Sequence, residues 1–171
     1  MGRLRRAGYE AAIAQAGLAP RCVDGDWTEA VGHRLAADLL AASDRPTAIF
    51  AANDLSAVGV LAAEDDLGLR IPEDLSVVGY DDSWFGRLGR LSLTTVDSHL
   101  AEVGQVAGRT LTARIDGERG TAGTRLLFPA LVQRSSTGPA PTGGTIEPPL
   151  GPVQAGTRRN RCQRLPAVAH G

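Results

Sequence analysis

The chain has 171 residues, of which 43% are hydrophobic and 22% charged, and its formal net charge is −1 at pH 7. That length suits one domain with or without a tail, and that composition supplies a real core. The balance excludes a strongly basic nucleic-acid binder, and no stretch approaches the roughly 18 consecutive apolar residues of a membrane-spanning helix.

The charge is unevenly placed. Residues 1–137 carry 14 Arg against 18 acidic residues, whereas residues 138–171 carry 4 Arg against Glu147 alone. The two cysteines, Cys22 and Cys162, share no CxxC spacing and read as free thiols of a reducing compartment. The opening "MGRLRRAGYEAAIAQAG" lacks the apolar core and cleavage site of a secretory signal, so a cytoplasmic protein is expected.

In chain order, the spacing of Leu4, Ala7, Ala11 and Ala14 predicts a helix over 3–17, stopped by Gly17. A short extended piece is expected at 20–23. A second helix starts near Thr28, with Val31, Leu35, Leu39 and Leu40 on its apolar face. "RPTAIFAAND" reads as a strand with too little alternation for a half-wet sheet, which suits a parallel strand covered on both faces. "LSAVGVLAAEDDLG" is the next helix, closed by Gly68. The plan repeats in a strand over Leu75–Tyr80 that ends on Asp81 and Asp82, and "LSLTTV" at 91–96 is a shorter strand. Residues 99–116 form an amphipathic helix through Leu100, Val103, Val106, Leu111 and Ile115, and "TRLLFPALVQRSST" is a final extended segment. Alternation of strand and helix predicts an α/β domain with a mainly parallel sheet. From residue 138 onward the chain is rich in Pro and Gly, then basic and aperiodic, and is expected to be a disordered tail.

Ligands of open α/β sheets bind at the carboxyl ends of the strands. Asn53 and Asp54 lie at one such end, Asp81 and Asp82 at another, and Trp27 follows "DGD" at what would be a third. An amide, carboxylates and an indole around one crevice suit a sugar or another polyol. Arg5, early in the first helix, would add a fork of donors. Each residue also has a plain reading: Asp54 as a helix N-cap, Asp82 as a turn residue, Trp27 as packing and Arg5 as a solvated charge. His33 and His99 read as surface residues of helices. Adjacent residues at a strand end point in opposite directions, so Asp81 and Asp82 make a poor acid/base pair. With no Ser-His, Cys-His or metal-ligand arrangement, neither an enzyme nor a cofactor nor a metal is expected.

The stretch "RPTAIFAANDLSAVGVLAAEDDLGLRIPEDLSVVGYDDSWFGRLGRLSLTTV" resembles the sensor domain of LacI/GalR-family transcriptional regulators. "RLRRAGYEAAIAQAGL" looks like that family's first helix of the C-terminal subdomain, and "LLFPALVQRSST" like its closing segment. The resemblance covers roughly residues 3–137. It implies a periplasmic-binding-protein-like fold of type I, in which two α/β subdomains close on an effector, here represented by most of the C-terminal subdomain. Residues 97–125 resemble the part that crosses into the N-terminal subdomain. Arg5, Trp27, Asn53 and Asp81 fall on ligand-contacting positions of the family. Asp81 would hold sugar hydroxyls, Arg5 would bond ring or hydroxyl oxygens, Trp27 would stack, and Asp54 would begin the next helix. The resemblance further implies a small-molecule effector, a homodimer, no membrane, and operator DNA bound only through a helix-turn-helix head that this chain does not carry. A periplasmic-type sugar-binding protein of a transporter, which shares the fold, is the alternative.

Overall fold

The computed structural model describes residues 2–118 and 123–141. Helix α1, Gly2–Gln15, ends two residues earlier than the periodicity predicts, and Gly17 turns the chain at φ 73°. The extended piece expected at 20–23 pairs with no strand among the described residues. Its Arg21 backbone N–H and C=O both meet the Tyr9 hydroxyl instead, at 3.2 and 3.4 Å. Helix α2, Glu29–Leu40, is capped by Thr28, whose side chain accepts from the Val31 N–H.

Strand β1, Ala48–Phe50, is followed by helix α3, Asp54–Leu67, which closes on Gly68 in the left-handed conformation at φ 66°. Asp54 does begin α3, but the cap is Asn53: its backbone is extended, and its side chain accepts from the Ser56 N–H at 2.8 Å. The N-cap reading of Asp54 is therefore corrected. One residue further along, it is already part of the helix, and its carboxylate turns inward rather than back along the helix.

Strand β2, Ser76–Val78, pairs with β1 in parallel, Ile49 opposite Val77. A parallel bridge from Val78 to Thr94 extends this sheet by a third track. Strand β3 occupies Thr95–Asp97, later than the expected 91–96, because Ser92 takes a positive φ of 35° and Leu93 dives into the core. Helix α4, Leu100–Ile115, leads to strand β4, Ala130–Val132, which pairs antiparallel with β3. The mainly parallel sheet thus holds for β1, β2 and Thr94, with an antiparallel pair at the far end.

The core lies where α2 and α3 cover one face of β1 and β2. Leu40, Ala57, Val60, Ala63, Leu75, Val77 and Leu93 are buried there. Two glycines set the helix crossing. A Cβ on Gly32 would stand 2.6 Å from the Ser56 carbonyl oxygen, and one on Gly59 would stand 2.2 Å from the Glu29 carbonyl oxygen. The two backbones are in contact, and no side chain fits between them.

Ser136 locks the closing segment to the sheet. Its hydroxyl is buried, accepts from the Thr94 N–H at 2.8 Å and donates to the Val77 carbonyl at 2.6 Å. The bonding continues to Gly138, tied to Ser76 through both its N–H and its C=O, so the body reaches at least one residue past the expected tail boundary. The rest of that tail beyond residue 141, with Cys162 and the basic cluster, lies outside the described residues.

Helix α4 buries none of its residues. Leu100, Val103, Leu111 and Ile115 are all exposed, as are Phe128 and Leu131 beyond it. No helix among the described residues is long and apolar enough to cross a membrane.

Candidate ligand-binding site

The carboxyl ends of β1 and β2 carry the polar residues that the sequence singles out. Phe50 runs through Ala51 and Ala52 into Asn53, and Val78 runs through Gly79 and Tyr80 into Asp81. The start of α1 lies across both ends and brings Arg5 over them.

Arg5 is the hub. One amino group donates to the Ala52 carbonyl and the other faces Asp81 Oδ1 at 3.4 Å. The guanidinium lies 3.6 Å over the Tyr80 ring and 5.5 Å from the Trp27 ring. Cation–π contacts of this kind contribute roughly 0.5–2 kcal/mol according to how far they are desolvated. The Arg5 side chain is 13% exposed and that of Asp81 29%, so the plain reading of Arg5 as a solvated charge is corrected. The Tyr80 and Trp27 rings lie beside the guanidinium, and its partial burial makes the charged contacts stronger than on an open surface.

Trp27 has a positive φ of 74°, in the left-handed region, and the residue is 39% exposed. The Asn53 amide holds it there, donating to the Trp27 carbonyl at 3.1 Å. Asn53 thus links the start of α3 to the Trp27 loop, and its side chain keeps one N–H and one lone pair for other partners. Arg5, Trp27, Asn53 and Asp81 are therefore brought together, although the sequence spreads them over more than seventy residues.

Asp81 and Asp82 both have positive φ, 115° and 49°. Such backbone costs on the order of 1–3 kcal/mol per residue and persists only where the surroundings hold it. The two carboxylates diverge. Burial pushes the Asp81 carboxyl above the ordinary range, Arg5 pulls it back, and Asp54 raises it again. Burial likewise pushes Asp82 up, but hydrogen bonds and charge from Arg134 and Arg87 outweigh it and leave that carboxyl below its ordinary value. Asp82 contacts Arg134 at 2.5 Å and Arg87 at 2.6 Å, and its side chain is only 7% exposed. It is a clamp between the turn and the closing segment.

Asp54 is fully buried at 0% exposure. Its Oδ1 accepts from the Thr95 hydroxyl at 2.5 Å and its Oδ2 from the Ser83 N–H at 2.6 Å. Sequence reasoning missed Tyr80, Thr95 and Arg134. Tyr80 alone carried a usable signal, an aromatic at a strand's carboxyl end.

A cavity of about 660 Å³ opens beside the cluster, lined by Arg5 and Trp27 and by Tyr9, Leu35 and Ala48 among others. Asn53 and Asp81 do not line it. It runs along the outer edge of β1, and the polar cluster sits at its rim. Cys22 on its wall is a free, exposed thiol. His33 lies outside the site, paired with Asp66 at 2.8 Å on the surface of α2 and α3, and His99 pairs with Asp97 at 3.3 Å. Among the described residues no group of three or more His, Cys, Asp or Glu is arranged to hold a metal ion.

The periplasmic binding protein-like domain family matches residues 1–137. The HTH-type transcriptional repressor PurR of Erwinia tasmaniensis is 36% identical over 140 residues, 80% of this chain and 41% of that protein. PurR of Edwardsiella ictaluri is 36% identical over 143 residues, 82% of this chain and 41% of its own length. A LacI-family regulator structure from Rhodococcus superposes with a TM-score of 0.74 at 37% identity, covering 80% of this chain and 51% of that one. The Lac repressor bound to ONPG gives a TM-score of 0.70 at 33% identity over 79% of this chain and 41% of its own. The chain spans about two fifths of the curated relatives it matches.

Proposed function

Because the chain belongs to the periplasmic binding protein-like domain family, with the fold of LacI-family regulators, we propose that it is the effector-sensing part of a LacI/GalR-type transcriptional regulator. Arg5, Trp27, Asn53 and Asp81 form one wall of the effector crevice. The observation that carries this reading is the meeting of Arg5 with Asp81 at 3.4 Å beside the Trp27 ring, at the carboxyl ends of two parallel strands. A guanidinium fork donates to paired hydroxyls and a carboxylate accepts from them, while an indole covers an apolar C–H face. The effector is a sugar or a similar polyol. The remaining wall of the crevice, the operator-reading head and the homodimer contacts belong to the rest of a longer regulator, which acts in the cytoplasm as a binding protein and not as an enzyme.

A planar heterocycle is the second reading. Arg5 already lies over the Tyr80 ring at 3.6 Å, and the exposed Trp27 indole offers a face on which a flat ring would stack. Transporter-type sugar binding is the weaker alternative, since the similar curated proteins are transcriptional repressors.

The test is a fluorescence titration of Trp27 in a Trp84→Phe background, with a panel of monosaccharides, ONPG and nucleobases. One member of the panel shifts the emission, and Asp81→Ala weakens its binding about ten-fold or more, the loss of roughly 1.5–3 kcal/mol for a charge-assisted hydrogen bond. Unchanged affinity in Asp81→Ala would remove that residue from the site.

A further inference from the structure

We propose that Asp54 is a positioning residue for Asp81, holding the 80–83 turn so that Asp81 and Asp82 keep the positive φ that aims the Asp81 carboxylate at Arg5. The role of Asp81 toward an effector rests on the function proposed above, but the positioning itself does not.

Asp54 grips the turn on both sides of Asp81. Its own N–H donates to the Tyr80 carbonyl at 2.8 Å, before Asp81. Its Oδ2 accepts from the Ser83 N–H at 2.6 Å, after it. A third link is indirect: the Thr95 hydroxyl donates to Asp54 Oδ1 at 2.5 Å and accepts from the Asp82 N–H at 3.4 Å. Three of the four turn residues thus depend on one buried aspartate. Asp81 is bonded elsewhere, its N–H donating to the Val96 carbonyl at 2.9 Å. Two non-glycine residues in succession at positive φ are held only where the surroundings over-determine them, and these bonds do so. The packing agrees. A Cβ on Gly79 would fall 2.3 Å from Asp54 Oδ1, so the residue before Tyr80 leaves room for this carboxylate and nothing more.

Asp54 also joins two elements that a ligand would bias together. It begins α3, directly after the Asn53 cap that holds Trp27, and it is bonded to Thr95 at the start of β3. The turn is also bonded directly to β3, through the Asp81 N–H to the Val96 carbonyl and the Asp82 N–H to the Thr95 hydroxyl, so a change at the turn is felt at β3.

The experiment is done on the full chain without ligand, so it stands or falls separately from effector binding. In isotope-labelled wild type, Asp54→Asn and Thr95→Val, the three-bond HN–Hα couplings of Asp81 and Asp82 report φ directly, and carbon-detected titration reports the Asp81 carboxyl. The charged groups facing that carboxyl are Arg5 from α1 and Asp54 from α3. Asp54→Asn leaves one acceptor oxygen to serve both the Ser83 N–H and the Thr95 hydroxyl, and it deletes a negative charge. Both couplings move toward extended values and the Asp81 midpoint falls. Thr95→Val keeps the Asp54 charge and cuts the link to Asp82, so the Asp82 coupling moves with the larger amplitude. A merely structural Asp54 lowers the melting temperature while leaving the couplings and the midpoint of the folded protein at wild-type values, and that result overturns the proposal. Should Asp54→Asn fail to fold, Thr95→Val, neutral and nearly isosteric, decides by the Asp82 coupling alone.

Discussion

Arg5 and Asp81 stand 76 residues apart in the chain and 3.4 Å apart in the fold. The contact joins the first helix to the end of the second strand, and it brings a cation against a carboxylate that burial keeps above its ordinary range. Its neighbour Asp82, gripped by Arg134 and Arg87, is held below it. Two adjacent aspartates therefore respond to pH with opposite signs.

That opposition is measurable. A raised carboxyl binds more protons in the folded state, so its contribution to stability is present at acid pH and lost as pH rises through the raised value. A lowered carboxyl contributes above the ordinary aspartate range and loses that contribution as pH falls through its own value. In urea unfolding at pH 7, Asp82→Asn is destabilised by about 2–3 kcal/mol through loss of charge-assisted bonds, and the deficit shrinks toward pH ~3, below the ordinary range. Asp81→Asn is as stable as wild type or more so at pH 7, and the two converge at acid pH. Equal deficits at both pH values for Asp82→Asn would show that its partners are not electrostatic.

The helix crossing gives a contrast between glycines. A methyl at Gly59 meets the Glu29 carbonyl oxygen at 2.2 Å, a backbone atom that cannot swing away. Gly59→Ala therefore destabilises by about 3 kcal/mol. A methyl at Gly8, inside α1, would meet nothing within 4 Å. Gly8→Ala stabilises by up to about 1 kcal/mol through helix propensity alone. Thermal melts of both variants check the pair, and similar melting temperatures would contradict the close α2–α3 crossing.

Element type was legible where periodicity ran for three turns or more, as in α1, α3 and α4, and where a glycine closed the helix, as at Gly68. The Asn53–Asp54 pair was legible as a strand-to-helix junction, but not in its division of labour. Two short polar side chains in a row are both good caps, and only the extended backbone of Asn53 decides between them. Arg134 on Asp82 left no trace in the sequence, since that contact spans 52 residues and depends on where β4 returns. Tyr80 did carry a signal, as an aromatic at a strand's carboxyl end, but its place under Arg5 depends on a helix from elsewhere in the chain being laid over it.

The bare stripe of α4 predicts self-association. Leu111 is 63% exposed and Ile115 75% on a helix that buries nothing, and contiguous exposed apolar surface promotes contact between molecules. Leu111→Glu with Ile115→Lys lowers the weight-average mass in sedimentation at tens of micromolar protein. The melting temperature changes little, because substitutions at such exposed positions stay within about 0.5 kcal/mol. An unchanged sedimentation profile would locate association elsewhere on the surface.

Arg5, Trp27, Asn53 and Asp81 are proposed to act together on one small molecule. Chemical-shift mapping in the labelled full chain, titrated with the monosaccharide, ONPG and nucleobase panel, tests it most directly. The binding member is expected to move the Trp27 indole, the Arg5 side-chain N–H and the Asn53 side-chain amide together, with one affinity, and Asp81→Asn to weaken all three movements equally. Shifts confined to the cavity wall at Tyr9, Leu35 and Ala48, with those three signals still and Asp81→Asn without effect, would contradict it.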